Sequence, residues 1–162
     1  MLVPAILYKE EILKNLTQYN YSNDMLLYSG WLGNSQPTID ADNNDSSYQY
    51  AIVDGDKLVG YFTYSIDWYV SCAHCFGLFS FDRGNWTIGR DVYKELKKLI
   101  NDYHIHRIEW RMIGGNPVER HYDKFCNKYN GKKHVFTDVV RDRYGNYHDD
   151  VVYEIIFDQK PR

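Results

Sequence analysis

The stretch from Leu78 to Ile100, LFSFDRGNWTIGRDVYKELKKLI, constrains this chain more than any other. An apolar, strand-like run closes at Phe81, a turn containing Gly84 follows, and a segment of helical period begins. Ile88, Val92, Leu96, Leu99 and Ile100 fall on one face of that helix, which leaves its Lys and Glu residues to face water. Thr87 stands where it can cap the helix by accepting a bond from a free N–H of the first turn. A helix start carries unpaired N–H groups and the positive end of the dipole, so this strand, turn and helix offer an anion a place to sit. Gly84 and Gly89 let backbone approach a bulky ligand, and Arg83 and Arg90 can add charge-assisted bonds to phosphate. The same residues also suit an ordinary strand–helix turn. Without a following Lys the spacing is not that of a nucleotide-binding P-loop.

The 162 residues are enough for one domain with its own core, taken here as 1–162. A net charge of −3 without a strongly basic patch argues against a nucleic-acid partner. Three cysteines, an odd number, do not make a disulfide framework. Cys72-Ala73-His74-Cys75 invites a metal reading, but residues three apart in a strand point to opposite faces, so reduced, buried thiols are expected instead. The start, MLVPAIL, lacks a basic lead and runs into Lys9-Glu10-Glu11, unlike a signal peptide, and no run approaches the ~20 apolar residues of a membrane span. A cytoplasmic protein with no metal and no membrane partner is therefore expected. Sixteen tyrosines can line a cleft, or simply face half-wet strand surfaces.

Along the chain, residues 2–7 read as a short strand and Lys9–Tyr19 as an amphipathic helix through Ile12, Leu13 and Leu16. Residues 22–33 suggest a second short helix, and the polar residues 34–47 a loop. Tyr48–Val53 and Lys57–Ile66, joined by Asp54-Gly55-Asp56, read as a hairpin. Ser71–Phe81 is a further strand before the central helix, and Ile105–Ile113 alternates Ile108, Trp110 and Met112 against Arg107, Glu109 and Arg111. Asn116-Pro117-Val118-Glu119 spells a capping box, opening a helix with Val118, Tyr122, Phe125, Cys126 and Tyr129 on one face and a stop near Asn130-Gly131. Two strands, His134–Arg141 and Val151–Phe157, flank a Tyr144-Gly145-Asn146 turn. The order is β-α-α-β-β-β-α-β-α-β-β, an α/β chain with a mixed sheet and helices on its faces.

That order, with Arg83-Gly84 and Ile88-Gly89-Arg90 before an amphipathic helix, resembles the GNAT N-acetyltransferase superfamily. Its acyl-CoA motif usually reads Q/R-x-x-G-x-G/A. Gly89 takes the last place here, Thr87 stands at the middle glycine, and Arg83 falls one residue early. Asn116 through Tyr122, followed by an aromatic helix face and a closing hairpin, is similar to the family's N-x-x-A/S-x-x-x-Y segment, with the tyrosine one residue closer than usual.

The resemblance implies a GNAT-like fold and transfer of an acetyl group from acetyl-CoA to a primary amine, of a small molecule or a protein, by direct attack on the thioester. It places the cofactor diphosphate on Arg83, Gly84, Asn85, Trp86, Thr87, Ile88, Gly89 and Arg90 and the pantetheine arm along Leu78, Phe79 and Ser80, and counts Asn116 among the cofactor-binding residues. Tyr122 matches the tyrosine that protonates the departing thiolate, a transfer helped by thiol and phenol pKa values only ~1.5 apart. The same side chain also fits a core position. For the base, Glu109 on the polar face of its strand is the first candidate, with His74 and Asp67 behind it; a solvated carboxylate fits Glu109 as well. The implied partners are acetyl-CoA and an unidentified amine, with a homodimer left open. Thr87, the shifted Arg83 and the lack of a clear base favour a second reading, a GNAT-like binding or regulatory module. The complete layout and Tyr122 favour the enzyme.

Overall fold

The computed structural model describes residues 1–21, 37–39, 46–142 and 144–157. The expected helix over 22–33 and most of the expected loop over 34–47 lie outside them. In chain order the elements are β1 (Leu2–Pro4), a 3-10 turn (Ala5–Tyr8), α1 (Lys9–Tyr21), β2 (Ser47–Asp54) and β3 (Lys57–Asp67). Next come β4 (Cys72–Ser80), α2 (Trp86–Asn101), β5 (Arg107–Ile113), α3 (Glu119–Lys128), β6 (Lys132–Arg141) and β7 (Tyr147–Ile156). The first strand is shorter than expected because Pro4 has no N–H with which to continue a ladder. The last strand starts earlier than expected, since the polar Tyr147–Asp150 hides a paired segment behind an Asp142-centred turn. No helix among the described residues is long and apolar enough to cross a membrane.

The seven strands form one sheet in the order β1-β2-β3-β4-β5-β7-β6. Every neighbouring pair is antiparallel except β4 and β5, which run parallel and pair only at Cys72↔Arg107 and Ala73↔Ile108. Beyond those two rungs the strands part. A bulge accompanies the parting: Ser65 pairs with His74 and Thr63 with Gly77, so Cys75 and Phe76 together face the single Tyr64. Cys75 takes φ +54° to make room, and such an insertion bends and twists its strand.

Each face of the sheet has its own core, and strand alternation divides the residues between them. Ala51, Val53, Leu58 and Tyr61 pack toward α1, with Ile12 and Leu16. Ile52, Val59, Phe62, Tyr64, Phe76, Ile108, Trp110 and Met112 pack toward α2 and α3. Several tyrosines belong to that second core: Tyr64 stacks on Tyr48 at 4.9 Å and on Phe76 at 5.4 Å.

The central helix departs from its expected polarity. Glu95 does not face water; it is 9% exposed and accepts hydrogen bonds from the hydroxyls of Tyr64 at 2.7 Å and Tyr50 at 3.3 Å. Phenols on the underlying strands supply the donors that a buried carboxylate requires, which helical period alone could not reveal. Its cap is also different. Asn85, not Thr87, ends the free N–H groups, its side chain accepting from Thr87 N at 2.9 Å.

At α3, the Asn116 side chain accepts from Val118 N at 3.0 Å and its carbonyl from Glu119 N at 2.9 Å, so Asn116 does hold the entry turn. The Glu119 carboxylate reaches Gly115 N at 3.3 Å rather than Asn116 N, one residue beyond a capping box. The exit follows a left-handed residue, but it is Asn130 that takes φ +53°. Gly131 is needed for space: a Cβ there would lie 2.6 Å from Glu154 O and 2.7 Å from Cys126 Sγ.

Candidate active site

The parted strands leave a cleft of about 840 Å³ between α2 and α3. Phe76 and Leu78 of β4 and Ile108 and Trp110 of β5 form its floor. Ile88, Val92 and Leu96 wall it from α2, and Val118, Tyr122 and Phe125 from α3. These are the apolar stripes of two amphipathic helices, held apart because the sheet beneath them has divided. The interior is mainly apolar, and its rim carries Asn85, Trp86, Arg120, His121, Lys124 and Lys128.

Of the residues expected along the cofactor arm, Leu78 and Ser80 line this cleft. Phe79 does not: strand alternation turns its ring to the other face, where it stacks on Tyr61 at 6.1 Å. In the turn, Gly84, Asn85, Trp86, Ile88 and Gly89 line the cleft. Gly84 takes φ +84°, which glycine accepts without strain. Gly89 has helical backbone, is exposed, and would place a Cβ with nothing within 4 Å. Its missing side chain thus leaves room against the first turn of α2 rather than serving any internal contact.

Arg83, Thr87 and Arg90 are absent from the lining. Arg90 grips Asp91 through Nε at 2.8 Å and Nη2 at 3.0 Å and lies over the Trp86 ring at 4.4 Å. That ion pair holds the buried Asp91 carboxyl down to about 2. Thr87 is fully buried, so its side chain, standing at the family's glycine position, does not project into the cleft. Asn116 is 5% exposed, caps its turn and does not line the cleft either.

Tyr122 lines the cleft half-buried, held edge-on by Trp110 at 5.9 Å and Tyr153 at 5.9 Å. Glu109 lies on the opposite face of β5 from Ile108 and Trp110. It meets Arg107 Nη2 at 2.5 Å, and the same guanidinium reaches Glu154 at 3.0 Å. Tyr122 and Glu109, the expected acid and base, therefore sit on opposite faces of the sheet. Partial shielding of its sulfur from water, and then the Glu109 carboxylate, push the thiol of the otherwise exposed Cys75 up.

Of the other base candidates, Asp67 is occupied in a turn, its Oδ1 accepting from Tyr69 N at 2.9 Å. The bulge also alters the cysteine picture: Cys75 is exposed rather than buried, and His74 Nδ1 lies 3.0 Å from its Sγ. No group of three or more His, Cys, Asp or Glu among the described residues is arranged to hold a metal.

Two features escaped the sequence reading. The bulge at Cys75–Phe76 could have been marked only by Gly77, the isolated strand glycine that follows it. The cationic rim was legible in principle, because Arg120, Lys124 and Lys128 recur at helical spacing within an otherwise acidic chain.

No family model and no curated protein matches the sequence. Solved structures do match in shape. The spermidine/spermine N-acetyltransferase of Vibrio cholerae aligns at 15% identity and TM-score 0.56, over 70% of this chain and 66% of that one. The ribosomal-protein-S18-alanine N-acetyltransferase of Escherichia coli aligns at 9% identity and TM-score 0.59, over 74% of each chain. A probable acetyltransferase aligns at 16% identity and TM-score 0.56, over 69% of this chain and 63% of that one. This chain thus spans just under two thirds of the length of the Vibrio enzyme and of the probable acetyltransferase. With a divided parallel strand pair, a cleft above it and these neighbours in shape, the chain has the fold of the GNAT acetyltransferases.

Proposed function

We propose that this protein transfers an acetyl group from acetyl-CoA to a primary amine. The observation that carries the reading is the α2–α3 cleft over the divided β4–β5 pair, apolar within and bounded at one end by the glycine-bearing start of a helix. A thin, mostly apolar arm ending in phosphates suits such a cleft, and Gly84 and Gly89 leave room for it along the turn. Leu78, Ser80, Ile88 and Gly89 would hold the arm, and the thioester supplies an activated carbonyl.

Much of the rate then comes from positioning two reactants on either side of the sheet gap. Tyr122, fixed between Trp110 and Tyr153, donates a proton to the sulfur that leaves. Glu109 receives the amine proton on the far face once the charge of Arg107 is shared with Glu154. The neighbours in shape include one named for polyamines and one for a protein alanine, so the acceptor class is taken no further than an amine. A catalytically weak or inactive GNAT-like binding or regulatory module is the second reading, favoured by the Arg107 grip on Glu109.

Tyr122→Phe separates these readings, since it keeps the ring between Trp110 and Tyr153. Stopped assays of free thiol with a panel of amines should show kcat lower by ~100-fold in the variant. Calorimetry should give an unchanged acetyl-CoA Kd. No thiol release by the wild type with any amine would leave the binding module. Undiminished turnover in the Phe variant would return Tyr122 to the core.

A further inference from the structure

The cleft has a direction that its proposed ligand must respect. Its inner end, at Phe62, Phe76 and Ile108, is apolar. Its outer rim on α3 carries Arg120, Lys124 and Lys128, one helical turn apart, and all three are exposed. Among the described residues, no glutamate or aspartate lines the cleft. A net charge of −3 for the whole chain makes this concentration of cations local rather than a general surface property.

The opposite rim, at the start of α2, has part of its anion-binding capacity already taken. Asn85 already takes one of its free N–H groups, that of Thr87. The Asn85 amide in turn donates to Asp54 Oδ2 at 3.1 Å and Asp82 Oδ2 at 3.3 Å, which sets two carboxylates beside the turn. Hydrogen bonds from Lys57 and Asn85 hold the Asp82 carboxyl below its usual range, so it is ionised at neutral pH. Arg90, one of the two arginines expected to meet phosphate here, is bound to Asp91. Lys57, 2.9 Å from Asp82 Oδ2, offsets the Asp82 charge, so an anion approaching this turn meets one fewer free N–H and the Asp54 carboxylate beside it.

We propose that the phosphates of the acyl-CoA are held chiefly from α3, by Arg120, Lys124 and Lys128, with the α2 turn supplying room rather than charge. The proposal rests on the acyl-CoA reading of the cleft and assigns the side chains that recognise the anionic end. Lys128 is already placed against α2, its Nζ donating to the Tyr93 hydroxyl at 2.6 Å, so one cation bridges both rims of the mouth. Lys124, the middle of the three, has the cleft mouth before it. Such a stripe orients the ligand: the phosphates stay at the rim and the thioester end enters the apolar interior. It also makes the nucleotide end, rather than the acyl group, the main determinant of affinity.

The test compares acetyl-CoA with S-acetylpantetheine, which has the same thioester and arm but no phosphates. Calorimetry is run on the wild type, Lys124→Gln and the Arg120→Gln/Lys124→Gln pair, at low and high salt. Both side chains are exposed, so melting temperatures should not change. The expected result is a loss of acetyl-CoA affinity on the order of ten-fold per cation removed, steeper salt dependence in the wild type, and no change for S-acetylpantetheine. Wild-type acetyl-CoA affinity in both variants would overturn the α3 assignment while leaving the acyl-CoA reading intact. Equal losses for both ligands would overturn it too, since the cations would then not be acting on phosphate. A wild type that binds neither compound would overturn the acyl-CoA reading itself, and the assignment with it.

Discussion

At the residue scale, charge and burial decide more here than residue type. Asp91 and Glu95 sit one turn apart on α2 and both are buried, yet each is satisfied differently: Asp91 by the two-pronged Arg90 ion pair, Glu95 by two phenols. The Asp91 carboxyl is held at about 2, below its ordinary 3.8. A depressed carboxyl contributes stability that is present above the unfolded value and lost as pH falls through the folded one. Stability should therefore decline between pH 4 and 2, and Asp91→Asn should be less stable at pH 7 with a flatter decline across that window. Urea unfolding at a series of pH values checks this, and parallel profiles for the two proteins would refute it. Residue chemistry was the least legible level in the sequence. Glu95 and Asp91 sit among lysines on a helix that reads as amphipathic, and only the strands beneath reveal their partners.

At the scale of elements, the sequence was most informative where local rules act alone. The Asp54-Gly55-Asp56 hairpin, the alternation of β5 and the apolar stripe of α3 all follow from period and turn chemistry. It was least informative where one element depends on another. The bulge in β4 is set by its ladder to β3, and Phe79 points away from the cleft because of alternation downstream of that bulge. Gly131 shows how tightly the end of α3 is fitted: the nearest neighbours of an added Cβ are a carbonyl of β7, the Cys126 sulfur and the Ile155 side chain at 2.8 Å. Gly131→Ala should destabilise the protein by about 1–3 kcal/mol, because a backbone carbonyl cannot swing aside like a flexible side chain. Chemical denaturation measures it, and an unchanged midpoint would show that the α3–β7 junction gives way freely.

At the scale of the whole molecule, seven strands, two cores and three helices among the described residues serve to hold one parallel pair of strands apart. The mixed sheet was legible from element order. The cleft was not, since its width depends on two rungs of pairing and on side chains from five elements. The central claim is that this cleft takes acetyl-CoA along the start of α2, where Gly89 leaves the room for it. A Cβ there meets nothing in the protein, so Gly89→Val should fold and melt like the wild type, within the ~1 kcal/mol usual for an exposed helical site. Calorimetric titration with acetyl-CoA should give clear binding by the wild type and at least a ten-fold loss in the Val variant. Equal affinity in the two proteins, with both correctly folded, would contradict the account.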